Sequence, residues 1–195
     1  RSKKINDLIF QYPYTMKKLK HLVKIQGRTL YEPHNYYSKK GIPILFADNI
    51  KENQVEFEKT RFIDAEIEPT FSTSRIHPGD LLMVRVGYLG TTAVVPEAHD
   101  FYHFASTLAL RPQENLDPDW LCFVLNSPFV KNQVEEKNVG SVMPQLNVGD
   151  ANNFLIPTPA IEIQRKLGAE ITSTNEIYTK IKDKLNELND KLVEH

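Results

Sequence analysis

Ile156-Pro157-Thr158-Pro159-Ala160-Ile161-Glu162-Ile163-Gln164 runs directly into a helix-type pattern that lasts to the C-terminus. Two prolines stop whatever precedes them, because proline fixes its own φ and biases the preceding residue away from helix. After them, apolar-type positions fall at Leu167, Ile171, Thr174, Tyr178, Ile181, Leu185, Leu188 and Leu192. The steps alternate between four and three, the rhythm of a coiled-coil seam that repeats about every 3.5 residues. Thr174 and Tyr178 are its least apolar positions. A helix with one apolar stripe usually packs on its own domain. Here the stripe is narrow and its flanks, such as Glu170, Lys180, Asp183, Asn186 and Glu187, are polar. A helix of roughly 30 residues would be about 45 Å long, more than the width of a domain of this size. The pattern therefore predicts a long, projecting, coiled-coil-type helix that holds a partner.

The 195 residues suit one domain of about 150 residues plus this appendage. A hydrophobic content of 41% supports a real core. No apolar run approaches the roughly 18 residues a membrane span needs, and no secretory leader is visible. The chain starts with Arg1 rather than Met, which points to a piece of a longer protein. The single cysteine, Cys122, sits in an apolar run and reads as a buried packing thiol. One cysteine excludes an internal disulfide and suits a reducing cytoplasm. The net charge of −1 hides an asymmetry: residues 1–62 carry 13 Lys/Arg against 6 Asp/Glu, and residues 63–160 carry 5 against 12. A basic segment of this kind is either a polyanion-binding face or charge that folding scatters.

Lys3 to Phe10 reads as a short helix, and Lys17 to Ile25 as a short helix entering a strand. Gly27 to Lys40 is a polar, tyrosine-rich loop. Ile42 to Phe46 is a buried strand and Val55 to Phe57 a short one. His77-Pro78-Gly79-Asp80 is a turn that launches a hairpin, with Leu81–Val86 and Thr91–Pro96 flanking Gly87-Tyr88-Leu89-Gly90. Phe104 to Leu110 is a further strand. Pro118 to Leu125 is a helix with Asp117 as N-cap, and Ser127-Pro128 opens another through Glu136. Gly140 to Gln145 is a loop. The class is α+β: a compact, mostly β-stranded domain with a few short helices, then one long coiled-coil-type C-terminal helix. Expected boundaries are 1–16 for an N-terminal segment left from a preceding region, 17–160 for the domain and 161–195 for the helix.

Enzyme signatures are thin. Gly87-Tyr88-Leu89-Gly90 opens no helix and reads as a hairpin turn, not a phosphate loop. His99 and His103 alone do not make a metal site. Glu135-Glu136-Lys137 resembles half of a nuclease motif in a helical setting that argues for a solvated face. Tyr12-Pro13-Tyr14 is similar to the signature of adenine amino-methyltransferases but lacks its leading residues. No catalytic residue is assigned. Binding residues are better represented. The first loop offers Arg28, Asn35, Tyr36, Lys39 and Lys40, the hairpin Arg85, Tyr88, Thr91 and Thr92, and the later loop Ser141 and Gln145. Arginine matches a guanine edge and asparagine an adenine edge, while lysine and tyrosine hold phosphates. The alternative for the first loop is a surface loop whose tyrosines pack on the sheet.

Several blocks in order resemble the target-recognition domain of type I restriction–modification specificity subunits. Gly41-Ile42-Pro43 through Asn49-Ile50 resembles the family's Gly-x-Pro…Asn-Ile block. Gly79-Asp80-Leu81-Leu82 through Gly87-Tyr88-Leu89-Gly90 resembles its Gly-Asp strand and Gly-x-x-Gly turn. Asp119 to Ser127 resembles the helix that follows, and Pro157-Thr158-Pro159 through Gln164 the start of its spacer. The resemblance covers roughly residues 17–192, and the order and spacing of the blocks are more specific than any one of them.

The resemblance implies a non-catalytic reader of double-stranded DNA that recognises one half of a split target. The spacer would set the distance to the other half. A methyltransferase subunit, which uses S-adenosylmethionine, and restriction subunits would dock on it; the chain itself would need no cofactor or metal. The spacer's partner would be a second target-recognition domain's spacer or a copy of itself. Two other readings stay open: the C-terminal reader of a fused adenine methyltransferase or restriction enzyme, and a protein-interaction scaffold working through the helix.

Overall fold

The computed structural model describes residues 7, 10–27, 37–138, 140 and 142–193. Strands β1 (Tyr14–Lys18) and β2 (Val23–Gly27) are followed by β3 (Tyr37–Ser38), β4 (Ile42–Leu45), β5 (Ile50–Lys51), β6 (Gln54–Val55) and β7 (Arg61–Ile63). A 3-10 helix (Glu68–Ser74) leads to β8 (Arg75–Ile76), β9 (Leu81–Val84), β10 (Thr92–Val94), β11 (Tyr102–Phe104) and β12 (Thr107–Pro112). Helices α1 (Pro118–Leu125), α2 (Pro128–Asn138) and α3 (Val148–Ala151), strand β13 (Leu155–Pro159) and helix α4 (Ile161–Val193) complete the order. One sheet has the order β10-β9-β12-β2 and is antiparallel throughout; a second has the order β3-β7-β4-β11-β8, with β4 and β11 parallel.

The four-stranded sheet is the middle layer. Every residue of β9 is buried, and successive side chains of a strand point to opposite faces. Leu81 and Met83 join Trp120, Leu121 and Val124 of α1 in one core. Leu82 and Val84 join Leu45, Tyr102 and Phe104 of the five-stranded sheet in another. This two-sided burial explains why the sequence of β9 is continuously apolar.

Phe104 to Leu110 is not one strand. The chain leaves the five-stranded sheet at Phe104, turns at Ser106 (φ 59°), and enters the four-stranded sheet at Thr107. Lys17 to Ile25 is not a helix entering a strand either. Leu19, Leu22 and Val23 have helix-like spacing, but Leu19 N donates to Phe154 O (2.8 Å) and β2 pairs with β12, so a single 3-10 turn (Leu19–His21) separates two strands. The helix read over Lys3 to Phe10 lies mostly outside the described residues. Asp117 caps α1 as expected, its carboxylate accepting from Trp120 N at 2.8 Å.

The two prolines lie within a strand. β13 pairs antiparallel with β1, Tyr14 opposite Pro159 and Lys18 opposite Leu155. Pro157 and Pro159 share one parity, so both missing N–H groups fall on the same edge and Ile156 and Thr158 keep donors for the other. The boundary expected after residue 16 therefore cuts β1, whose residues 14–16 belong to the domain.

Helix α4 leaves the domain through a tight joint with α1. The buried Gln164 side chain accepts from Asp117 N (3.0 Å) and donates to Pro159 O (2.8 Å). A Cβ on Gly168 would lie 2.4 Å from Asp117 Oδ1 and 3.2 Å from Trp120 N, so glycine permits the close crossing. Leu167 is buried in the domain's own core and Ile171 packs against it. The first two seam positions are thus internal contacts, not an exposed seam. Beyond them Thr174 is exposed and donates to Glu170 O, and Ile177 and Ile181 are 57% and 55% exposed. The side chains of Tyr178, Leu185, Leu188 and Leu192 lie outside the described set, although their backbone is helical. The 22 residues after Ile171 extend about 33 Å.

This joint predicts that Gly168→Ala destabilises the protein by about 1–3 kcal/mol through overpacking. Gln164→Ala should cost a similar amount, because Asp117 N and Pro159 O lose their partner. Ile177→Ser, on the exposed stretch, should shift stability by less than about 0.5 kcal/mol. Denaturant unfolding measures all three, and an unchanged midpoint for Gly168→Ala would contradict the close crossing.

Candidate nucleic-acid interface

The strand register brings the end of β2, the β9–β10 turn and the loop at Gln145 to one end of the four-stranded sheet. Gly27, the last residue of β2, faces Leu108, and Val84, the last of β9, faces Thr107. The last described residue of β2 therefore lies at the same end as the β9–β10 turn. The later loop joins them, since Val86 forms a bridge with Gln145 and Leu146 N donates to Arg85 O at 2.9 Å.

The turn is held tightly. Gly87 and Gly90 both take left-handed φ (85° and 79°), Gly90 N donates to Val84 O, and a Cβ on Gly90 would meet Val134 Cγ2 of α2 at 3.1 Å. Tyr88, between the glycines, is 88% exposed. Arg85 is half-buried, its Nη1 4.0 Å from where a Gly27 Cβ would be. Its Nε is buried and unpaired, and it has no carboxylate partner among the described residues. Gln145 is exposed, with its backbone N–H donating to Asn138 Oδ1. Thr91 is half-buried beside the turn.

Thr92 does not belong to this surface. It is fully buried; its N–H donates to Asn126 Oδ1 (2.9 Å) and its carbonyl accepts from Asn126 Nδ2 (2.8 Å). Asn126 Nδ2 also donates to Asn53 Oδ1 at 2.9 Å, so Thr92 clasps α1 to the β5–β6 hairpin. Polar type alone suggested an exposed residue, but its strand position turns it inward. Lys39 and Lys40 are exposed but precede β4, whereas it is the C-terminal end of β4 that lies beside the β11–β12 crossing. Arg28, Asn35, Tyr36 and Ser141 lie outside the described residues. The basic excess of residues 1–62 does not make a single face. Lys17 and Lys18 lie on β1, Lys51 pairs with Glu56, and Arg61 stacks on Phe46 at 4.5 Å.

Three exposed residues at this sheet end have apolar side chains that residue type does not mark for binding: Val86 (55%), Val142 (97%) and Met143 (84%). Their signal was an apolar pair, Val142-Met143, inside a loop bounded by Gly140 and Pro144 that offers nothing to bury it.

A Ser-His-Glu constellation occurs elsewhere. Ser74 Oγ is 2.8 Å from His103 Nδ1, and His103 Nε2 lies 3.1 Å from Glu68 Oε1, close but poorly aligned for a hydrogen bond. All three are buried, the Ser74 hydroxyl donates to Phe71 O, and Arg75 holds both Glu68 oxygens (2.6 and 2.5 Å). This is a clamp between the 3-10 helix and β11 with no face open to a substrate. Cys122 is buried likewise, and burial pushes its thiol up. Among the described residues no group of three or more His, Cys, Asp or Glu is placed to hold a metal.

Burial holds His103 below its ordinary pKa, outweighing the nearby Glu68 carboxylate, which raises it; Arg75 adds to the lowering. The unfolded chain therefore binds more protons than the fold as pH drops below about 6.5, so stability present above that value is lost until the lower folded pKa is passed. Glu68 is itself held below the usual carboxylate range, mainly by its hydrogen bond to Arg75, and adds a separate loss at more acid pH. The thermal midpoint should fall between pH 7.5 and about 5.5. His103→Gln should flatten that window while leaving the more acidic loss; an unaltered profile would refute the assignment.

The layered fold and its helical exit define a mixed α+β domain. Residues 12–189 match the model of the type I restriction modification DNA specificity domain, and the chain belongs to that family. It is 25% identical over 130 residues to the EcoBI type I restriction enzyme specificity subunit of Escherichia coli, covering 66% of this chain and 27% of that protein. It is similar in fold to the HsdS subunit from Thermoanaerobacter tengcongensis, with a TM-score of 0.63, 18% identity, and coverage of 93% of this chain and 44% of the other. The same holds for the type I S subunit from M. genitalium, with a TM-score of 0.64, 13% identity and coverage of 95% and 45%. The chain thus spans about a quarter of the EcoBI subunit and under half of each solved subunit.

Proposed function

We propose that this chain is a non-catalytic reader of double-stranded DNA that recognises one half of a bipartite target in a restriction–modification system. The family match over residues 12–189 carries the reading. Its geometric support is the convergence of the Arg85 turn, the loop through Gln145 and the start of the 28–36 segment at one sheet end. Arg28, Asn35, Tyr36, Arg85, Tyr88, Thr91, Ser141 and Gln145 are the residues assigned to DNA there, with Lys39 and Lys40 as outlying phosphate contacts.

Helix α4 serves as the spacer. Its domain-proximal part is fixed by Gln164 and Gly168, so its direction is set by the domain. Its exposed Ile177 and Ile181 provide apolar surface for pairing with a second spacer, from a longer chain or from another copy. Two readers joined in this way gain affinity by effective concentration without new contacts. A methyltransferase subunit that supplies S-adenosylmethionine chemistry, and restriction subunits, complete the assembly in the cytoplasm. Among the described residues no helix is long and apolar enough to cross a membrane.

Binding of duplex DNA by the full-length protein in complex with its methyltransferase should weaken steeply with salt, through counterion release. Arg85→Ala should weaken it by about tenfold or more, the loss expected for a charge-assisted contact. A triple Arg28→Ala, Lys39→Ala, Lys40→Ala variant should flatten the salt slope if those residues neutralise phosphates. Fluorescence anisotropy across a salt series checks both, and unchanged affinity for Arg85→Ala would remove the sheet end from the interface.

A further inference from the structure

Tyr88, Val142 and Met143 stand almost fully exposed on two segments that the Val86–Gln145 bridge and the Leu146–Arg85 hydrogen bond hold side by side. Single exposed apolar residues are ordinary, but three together at one tip mark a contact surface. Tyr88 and Pro144 also line one shallow cleft beside α2, which places the two segments against each other beyond the bridge.

The neighbours of this tip select its occupant. Arg85 brings a cation without a carboxylate partner among the described residues, and Gln145 an exposed amide. An acceptor-rich, negatively charged surface that also carries isolated methyl groups satisfies all of them. Two chain segments about 5 Å apart, with their side chains, fit the roughly 12 Å major groove of B-DNA, which admits a two-stranded ribbon, and exceed the roughly 6 Å minor groove. The apolar group exposed in the major groove is the C5 methyl of thymine. We propose that Val142 and Met143 read thymine methyl groups in the major groove, with Tyr88 packed beside them and Arg85 on the adjoining backbone. This inference rests on the DNA-reading function above and adds the chemistry by which it discriminates bases.

The test uses the full-length protein in complex with its methyltransferase and a pool of short duplexes with a randomised centre. The enriched sequence should contain thymine. Replacing those thymines one at a time with uracil, which lacks only the methyl, should weaken binding about fourfold per contacted methyl. The double variant Val142→Ser, Met143→Ser should keep its thermal midpoint, bind the thymine duplex more weakly, and no longer distinguish thymine from uracil. Equal binding of thymine and uracil duplexes by the wild-type complex overturns the proposal, as does a serine variant that keeps the difference. Equal binding together with loss of the methyltransferase from the serine variant overturns it in favour of a protein contact. Absence of any enriched sequence defeats the DNA-reading function itself, and this inference with it.

Discussion

The two-sided burial of β9 is the constraint on which the rest of this structure depends. Four consecutive apolar residues can all be dry only if the sheet is covered on both faces. Helix α1 covers one face and the five-stranded sheet the other. With both faces occupied, the β9–β10 turn and the loop through Gln145 meet at an end of the middle layer.

The second determinant is the joint between α1 and α4. Asp117 accepts from Trp120 N to cap one helix while its own N–H is satisfied by Gln164 of the other. The cap of α1 and the angle of α4 are therefore coupled through one residue. Gly168 closes the approach further. A projecting helix can transmit distance and orientation only if its base is stiff. Here the base consists of buried hydrogen bonds and a close backbone crossing. Beyond it Ile177 and Ile181 are exposed.

Much of the fold was legible locally. The Asp117-Pro118 start of α1, the glycine-bounded turn at Tyr88 and the long C-terminal helix each rest on chemistry confined to a few neighbouring residues. Elements that depend on distant partners were not legible. The β1–β13 pair joins residues 141 or more positions apart along most of its register and hides inside a stretch that local rules read as a breaker. The crossing at Ser106 interrupts an apolar run that continues unchanged through two sheets. Residue types do not mark the exposure of Val142 and Met143 beside Tyr88 and Gln145, because exposure is not written in side-chain chemistry. Thr92 failed for the same reason in reverse.

The sequence alone determined that this is an α+β domain ending in a long helix, and its ordered blocks resembled one family of DNA readers. Those features follow from periodicity, capping and turn chemistry, which act over a few residues. Tertiary structure decided which loops share one end of a sheet, and which polar residue turns inward. It also decided that the first two positions of the helix stripe belong to the domain rather than to a partner. Those outcomes depend on long-range register and close packing, in which a residue's role is set by what lies across from it.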